Sequence, residues 1–433
     1  MIWWGEGSIS LGGEMKNRFL ALALVPGLFL SSCSATETEP ALVEPSAEPT
    51  SDFVAPALSS DLGVDLIGCF HPDVQRRGSA GHFLSERNLD RIPTSGVIQV
   101  AVVLVNFEDV QGEAQVQERA DLFMDEMARF YESTSYGRVS FEFRVHPEYV
   151  AIPKNSFDYG MQNWGEGDAG AYAQDAIRYA DPVFDFSGID VLFVIPPEDS
   201  LIAFGPYMRF DSGKGWETNE GTIDNVNVAA GEMERIESKT PHWWWAAHEL
   251  AHSFGLAHPY AGMFGGIWDI SQGWGLKTPE LLGWHRLILD WIDPQQVRCF
   301  EPFEVGDSFT GYLEKLNQKS SNEKLFVVQM GDNKVLVIES RHNGGFDQFS
   351  ELDEGLLAYV VDLSKNERDG QFVRIIKGDK FSEGLLIGTI IPKSSLEYEN
   401  YLIRNLGQTD DGDYFEISKL ADISPEESPS VKD

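Results

Sequence analysis

Apolar residues follow two rhythms along this chain. From Val97 to Phe107 they run almost unbroken as VIQVAVVLVNF, rich in β-branched residues, which predicts a strand buried on both faces. Between about Glu113 and Ser133 the spacing becomes that of a helix, through Leu122, Phe123, Met127 and Phe130. Phe141 to Val145 alternates as a strand, Ala169 to Ala180 reads as a helix, and Asp190 to Ile195 reads as a second buried strand. A further helix is expected from about Pro241 to Phe254, with Thr240 as N-cap, Pro241 at the first helical position and Gly255 as the stop. Strands and helices in this order predict a mixed α/β domain.

After about Cys299 the pattern changes. Short apolar runs at Lys324 to Met330, Lys334 to Glu339, Leu356 to Asp362, Phe372 to Ile376 and Leu385 to Ile391 are separated by turn residues. The expected fold class is therefore α+β: a mixed α/β domain over residues 61–299, an all-β, sandwich-like domain over 300–420, and a polar disordered tail over 421–433.

The N-terminus carries an export signal. Lys16 and Arg18 precede an apolar run from Phe19 to Leu30, interrupted by Pro26-Gly27 and ending in Leu30-Ser31-Ser32-Cys33. The run is too short to span a bilayer, and residues 1–32 read as a signal peptide, with Met15 as an alternative start. The ending resembles the lipobox of bacterial lipoproteins, which implies that Cys33 is the lipid-modified first residue of an exported protein held at the cell envelope, at the outer membrane or cell surface. The other reading is an ordinary secretory signal and release from the cell. Residues 33–60, rich in Pro, Glu, Ala, Ser and Thr, read as a disordered tether.

Charge narrows the partners. With 69 acidic and 33 basic side chains the formal net charge is −36, so nucleic acid is excluded as a partner: phosphate binding needs a basic surface. A salty habitat accounts for such acidity better than a taste for basic substrates does.

The chemistry concentrates in His248-Glu249-Leu-Ala-His252-Ser-Phe-Gly255-Leu-Ala-His258, which matches HExxHxxGxxH at every specified position. On a helix, residues four apart share a face, so His248 and His252 can present two imidazoles to one metal ion. Gly255 can take a left-handed conformation that turns the chain and brings His258 to the same ion. Three protein ligands leave one tetrahedral position open, the arrangement of a catalytic Zn2+ site. Glu249, one step round the helix, is placed to take a proton from a zinc-activated water. His242, before Trp243-Trp244-Trp245, reads as a packing residue and not a ligand.

The motif and its flanks resemble the metzincin metallopeptidases, and most of all the immune inhibitor A family of bacterial secreted proteases. The matching stretches are Arg91-Ile-Pro-Thr-Ser-Gly-Val, Phe130-Tyr131-Glu-Ser-Thr-Ser-Tyr136-Gly137-Arg-Val, Leu282-Gly283-Trp284-His285, Leu336-Val-Ile-Glu339-Ser-Arg341 and Glu354-Gly355-Leu-Leu-Ala-Tyr-Val-Val-Asp362. The resemblance implies an endopeptidase acting on extracellular proteins or peptides, with His248, His252 and His258 on zinc and Glu249 as general base. The chain departs from the pattern at one place. Metzincins carry a methionine in a turn beneath the zinc, and Trp268-Asp269-Ile270-Ser271 has Ser271 there, leaving Ile270 or Met263 to form the apolar floor. Tyr260 reads as a packing residue that could also approach the metal.

The remaining cysteines, Cys69 and Cys299, bracket the motif-bearing region and are expected to form a disulfide in an exported chain; the rival use of Cys69 is to cap the zinc. Asp410-Asp411-Gly412-Asp413 resembles a Ca2+ loop in composition alone and reads better as a solvated turn. The alternative to a peptidase is a surface binding or adhesion lipoprotein that keeps the zinc fold without catalysis. Glu249 weighs against it, because a binder has no use for a carboxylate beside the metal.

Overall fold

Helical crossovers build the first sheet. In the computed structural model the described residues are 53–64, 91–163, 167–202, 215–231, 241–259, 268–272, 278–331, 333–365, 372–376 and 389–421. The buried run becomes strand β1 (Gly96–Asn106); the chain then forms helix α1 (Val116–Thr134) and returns as β2 (Val139–Val145), parallel to β1. A second crossover leads from β3 (Val150–Ala151) through α2 (Ala169–Ala180), capped by the Asp168 carboxylate, to β4 (Val191–Ile195). A hairpin of β5 (Trp216–Thr218) and β6 (Gly221–Ile223) precedes β7 (Val226–Val228). The sheet order is β2-β1-β4-β7, all parallel, with β3 pairing beside the end of β1. Parallel neighbours require crossovers, and the crossovers cover both faces. Ile98, Val100, Val102 and Leu104 thus enter one core with α1, and Ala101, Val103 and Val105 enter another with α2.

Two α-helices follow, α3 (His242–Phe254) and α4 (Gly283–Ile288), and after them the described residues form strands and two short 3-10 turns. The strands are β8 (Val297–Phe300), β9 (Ser308–Glu314), β10 (Leu325–Gly331), β11 (Lys334–Arg341), β12 (Gly355–Asp362), β13 (Val373–Ile375), β14 (Ser395–Tyr398), β15 (Tyr401–Thr409) and β16 (Gly412–Lys419). They form a second sheet, β13-β12-β11-β10-β8, and a third, β14-β15-β16-β9. Side-chain alternation gives the second sheet two buried faces. Leu336, Ile338, Ala358 and Val360 pack with Phe415 and Ile417 of the third sheet, while Val335, Val337, Leu357 and Tyr359 share a core with Trp245, Leu250 and Phe254 of α3.

The mixed α+β class expected from the sequence is what the chain adopts, but its halves are not separately packed. The described residues from 53 onward belong to one compact unit, and β8, at the expected boundary, is an edge strand of the second sheet. The change of architecture at Cys299 therefore comes without a break in the core.

Residues 53–64 also differ from the tether expected up to residue 60. Ser59 N donates to Thr310 O at 2.8 Å, Val64 N donates to Cys299 O at 2.8 Å, and the Phe53 ring lies 5.5 Å from that of Tyr414. Strands β8 and β9 are sheet edges, and the segment supplies partners for their unpaired backbone groups. Cys299 is disulfide-bonded to a residue outside the described ones, where Cys33 and Cys69 both lie. The signal peptide, Tyr260, Met263, the tail and most of the run expected at Leu385–Ile391 also fall outside them. Among the described residues no helix is long and apolar enough to cross a membrane.

Asp410 and Asp411 form the turn of the β15–β16 hairpin, as expected, but Asp413 is buried. Its carboxylate accepts from Ser340 Oγ at 2.6 Å, His342 Nε2 at 2.9 Å and Asn405 Nδ2 at 2.8 Å. Three protein donors satisfy it.

One buried ion pair closes the loop between β9 and β10. Lys324 Nζ donates to Glu314 Oε2 at 2.6 Å, Lys315 O at 2.8 Å and Gln318 O at 2.6 Å, and neither charged side chain has appreciable exposure. Removing one partner of such a pair strands the other charge in the interior. Lys324→Met is expected to cost about 3–5 kcal/mol in urea unfolding, and the double change with Glu314→Leu to cost clearly less than Lys324→Met alone. A single-variant loss under 1 kcal/mol would show the pair to be dispensable.

Candidate metal centre

Helix α3 is buried around most of its circumference. Trp245, Ala246, Ala247, Leu250, Ala251 and Phe254 are all enclosed, as befits a helix lying between layers. Helix α1 holds one side: the Phe123 and Trp245 rings meet edge to face at 6.0 Å, and Tyr131 Oη donates to Ala247 O at 2.6 Å. The His242 ring lies 4.9 Å from that of Phe123, a packing role as expected. On another side Asn227 Nδ2 of β7 donates to Ser253 Oγ at 3.2 Å. The helix begins one residue later than expected, because Pro241 takes an extended ψ of 144° and occupies the N-cap position without a side-chain cap; Thr240 lies outside the described residues.

Gly255 ends α3 with φ 101°, the left-handed conformation that a β-carbon disfavours. Its N–H donates to His252 O at 2.9 Å, and Leu256 N donates to Ala251 O at 3.0 Å. This reversal carries His258 back to the helix. His252 Nε2 lies 3.2 Å and His258 Nε2 3.3 Å from His248 Nε2. The three histidines expected from the motif thus offer ligand nitrogens within 4.8 Å of one another, a group that can hold a metal ion.

Backbone carbonyls decide which nitrogens face the centre. His248 Nδ1 donates to Ile270 O at 2.7 Å, and His252 Nδ1 donates to Leu256 O at 2.7 Å. With Nδ1 protonated, each neutral ring turns the bare lone pair of Nε2 inward. Burial and the neighbouring His258 push His248 down to about 3, and burial with His248 and His258 holds His252 well below its usual value. Neutral lone pairs at such separations repel one another, and a shared cation turns that repulsion into coordination.

Glu249 is the second unusual group. It is fully buried, neither carboxylate oxygen has a hydrogen-bond partner among the described residues, and Oε1 lies 3.9 Å from His248 Nε2. Burial holds its carboxyl well above the ordinary value. An orphaned carboxylate next to three converging imidazoles fits a metal centre that handles protons.

The turn at Asp269–Ser271 has a serine where the resemblance led us to expect a methionine. Ile270 is fully buried in the main core and its carbonyl receives His248, while Ser271 Oγ donates to Asp269 Oδ1 at 2.7 Å. Asp269, at φ 80°, also accepts from Leu282 N at 2.9 Å and His285 Nδ1 at 2.6 Å. Burial alone would raise its carboxyl, but the His285 imidazole, Ser271 and Leu282 N–H hold it below the usual value. Asp269 and His285 had no place among the expected site residues. The available signal was a polar pair flanking two apolar stretches, Asp269 after Trp268 and His285 after Trp284.

Replacing Gly255 by Ala is expected to lower stability by about 1–2 kcal/mol, the penalty of a left-handed residue with a side chain, and to weaken metal uptake by displacing His258. Thermal unfolding with and without added zinc measures both. Among known proteins, neither a family model nor a curated protein matches the chain.

Proposed function

We propose that the protein is a zinc-dependent endopeptidase of metzincin type that cleaves extracellular proteins. The observation that carries this reading is the fully buried, unpartnered Glu249 carboxylate 3.9 Å from His248 Nε2, beside three imidazoles whose ligand nitrogens converge. Zinc–imidazole bonds of about 2.0–2.1 Å in tetrahedral geometry set ligand nitrogens roughly 3.3 Å apart. The separations of 3.2 and 3.3 Å at His248 are close to that value. When bound, zinc polarises a peptide carbonyl and makes water a nucleophile near neutral pH.

The chain's own groups supply the rest. Glu249 accepts the proton of the attacking water and returns it to the leaving amine. Its apolar surroundings raise its proton affinity, which suits a group that must hold a proton for part of the cycle. His248 and His252 keep fixed tautomers through Ile270 O and Leu256 O, so the ligand set stays in place as charge develops. His258 is the exposed member of the three histidines, the side from which a polypeptide would approach. The Leu30-Ser31-Ser32-Cys33 ending supports export and a lipid anchor at Cys33, with the enzyme standing at the cell envelope.

The purified mature protein is expected to contain one zinc ion and to hydrolyse casein. Glu249→Ala should retain the metal while activity falls at least about 100-fold, the share a general base contributes. His252→Ala should lose the metal. Equal hydrolysis by wild type and Glu249→Ala sinks the mechanism. Cys33→Ser, expressed in a bacterium, should move the protein from the membrane fraction to the soluble one; continued membrane retention speaks against the anchor.

A further inference from the structure

The Asp269–His285 pair is fully buried and lies outside the ligand set. His285 Nδ1 donates to Asp269 Oδ2 at 2.6 Å, and His285 Nε2 has no partner among the described residues. Asp269 has four donors: the main-chain N–H groups of Ser271 and Leu282, both at 2.9 Å, the Ser271 hydroxyl at 2.7 Å, and His285. A carboxylate so fully engaged holds its own backbone at φ 80°, a conformation costly for a residue with a side chain.

That backbone conformation aims the next carbonyl. Asp269 N donates to Thr278 O at 3.1 Å and Ile270 N to Pro279 O at 2.9 Å, so both amides point away from the metal centre and Ile270 O is left to His248 Nδ1 at 2.7 Å. The other end of the pair is equally fixed. His285 belongs to α4, whose first residues bond the second sheet: Gly283 N donates to Glu339 Oε2 at 2.8 Å and Trp284 N to Tyr359 Oη at 3.1 Å.

We infer that Asp269 and His285 are positioning residues which, through Ile270 O, orient His248 and thereby set metal affinity and coordination geometry from the second sheet. The inference rests on the proposed use of the three histidines as metal ligands. It assigns a role to groups with no contact to the metal, and it makes the β region part of the apparatus that holds it.

The test uses the full mature chain loaded with Co2+, whose visible absorption reports coordination geometry, together with zinc affinity from competition with a chromophoric chelator. His285→Leu is expected to bind zinc about 10–100-fold more weakly and to shift the Co2+ bands while near-ultraviolet circular dichroism stays native. His285→Asn, whose amide can donate where Nδ1–H stood, is expected to recover most of the affinity and the wild-type spectrum. Ser271→Ala, which takes one donor from Asp269 and leaves α4 untouched, is expected to weaken binding roughly fivefold and serves if His285→Leu does not fold. Folded His285→Leu or Ser271→Ala with wild-type affinity and spectrum overturns the positioning role while leaving the metal site intact. A wild-type chain that takes up neither ion overturns the metal site itself, and the inference with it.

Discussion

Which nitrogen of a histidine can bind a metal is decided by what holds the other nitrogen. Here two backbone carbonyls, Ile270 O and Leu256 O, each receive an Nδ1–H at 2.7 Å. The rest of the site follows from the need to place those carbonyls. Leu256 O stands where it does because Gly255 reverses the chain, the same reversal that delivers His258. Ile270 O depends on the strained turn at Asp269 and on the elements that restrain it.

Those elements belong to the β half of the chain. The loop that leads into α4 is fastened by buried charges: Arg341 pairs with Glu339 at 3.0 Å and with Asp347, Arg286 pairs with Glu280, and Arg341 also donates to Glu280 O at 3.2 Å and Leu281 O at 3.3 Å. Gly283 fits closely, since a β-carbon there would stand 2.4 Å from a Leu325 methyl and 2.7 Å from Glu339 Oε2. A buried ionic cluster is a costly way to gain stability but a direct way to fix register, because a shifted loop would leave several charges unpaired. The carbonyl that orients His248 is thus tied through α4 to a sheet whose other face packs on a third layer.

Local signals made the histidine cluster legible in the sequence. The spacing of His248, His252, Gly255 and His258 encodes a helix, its stop and a reversal, all within eleven residues whose geometry follows from backbone chemistry. Strand β1 was legible for the same reason, its apolar run declaring burial on both faces. What was not legible depends on partners far along the chain. Strands β9, β15 and β16 carry Thr310, Arg404 and Glu416 among their apolar positions, and only pairing with one another makes them a sheet. Asp269 and His285 lie 16 residues apart, and Glu339 meets Gly283 across 56. The absent methionine at Ser271 looked like a defect in sequence, whereas in three dimensions the serine hydroxyl is one of the donors that hold Asp269.

Glu249 shows what this rigidity permits. A buried carboxylate with no hydrogen-bond partner among the described residues is destabilising by itself, and a pliable site would relax until water or a donor reached it. Among the described residues, Tyr131 holds Ala247 O, Asn227 holds Ser253, and the carbonyls of Ile270 and Leu256 hold the two imidazoles on the same helix. These bonds fix the helix around Glu249 without supplying its carboxylate with a donor. That is the condition under which a carboxylate keeps a raised proton affinity and remains free to act on a proposed substrate. Helix α3 would not meet it alone, so the layered packing of the whole chain is the physical basis of the site.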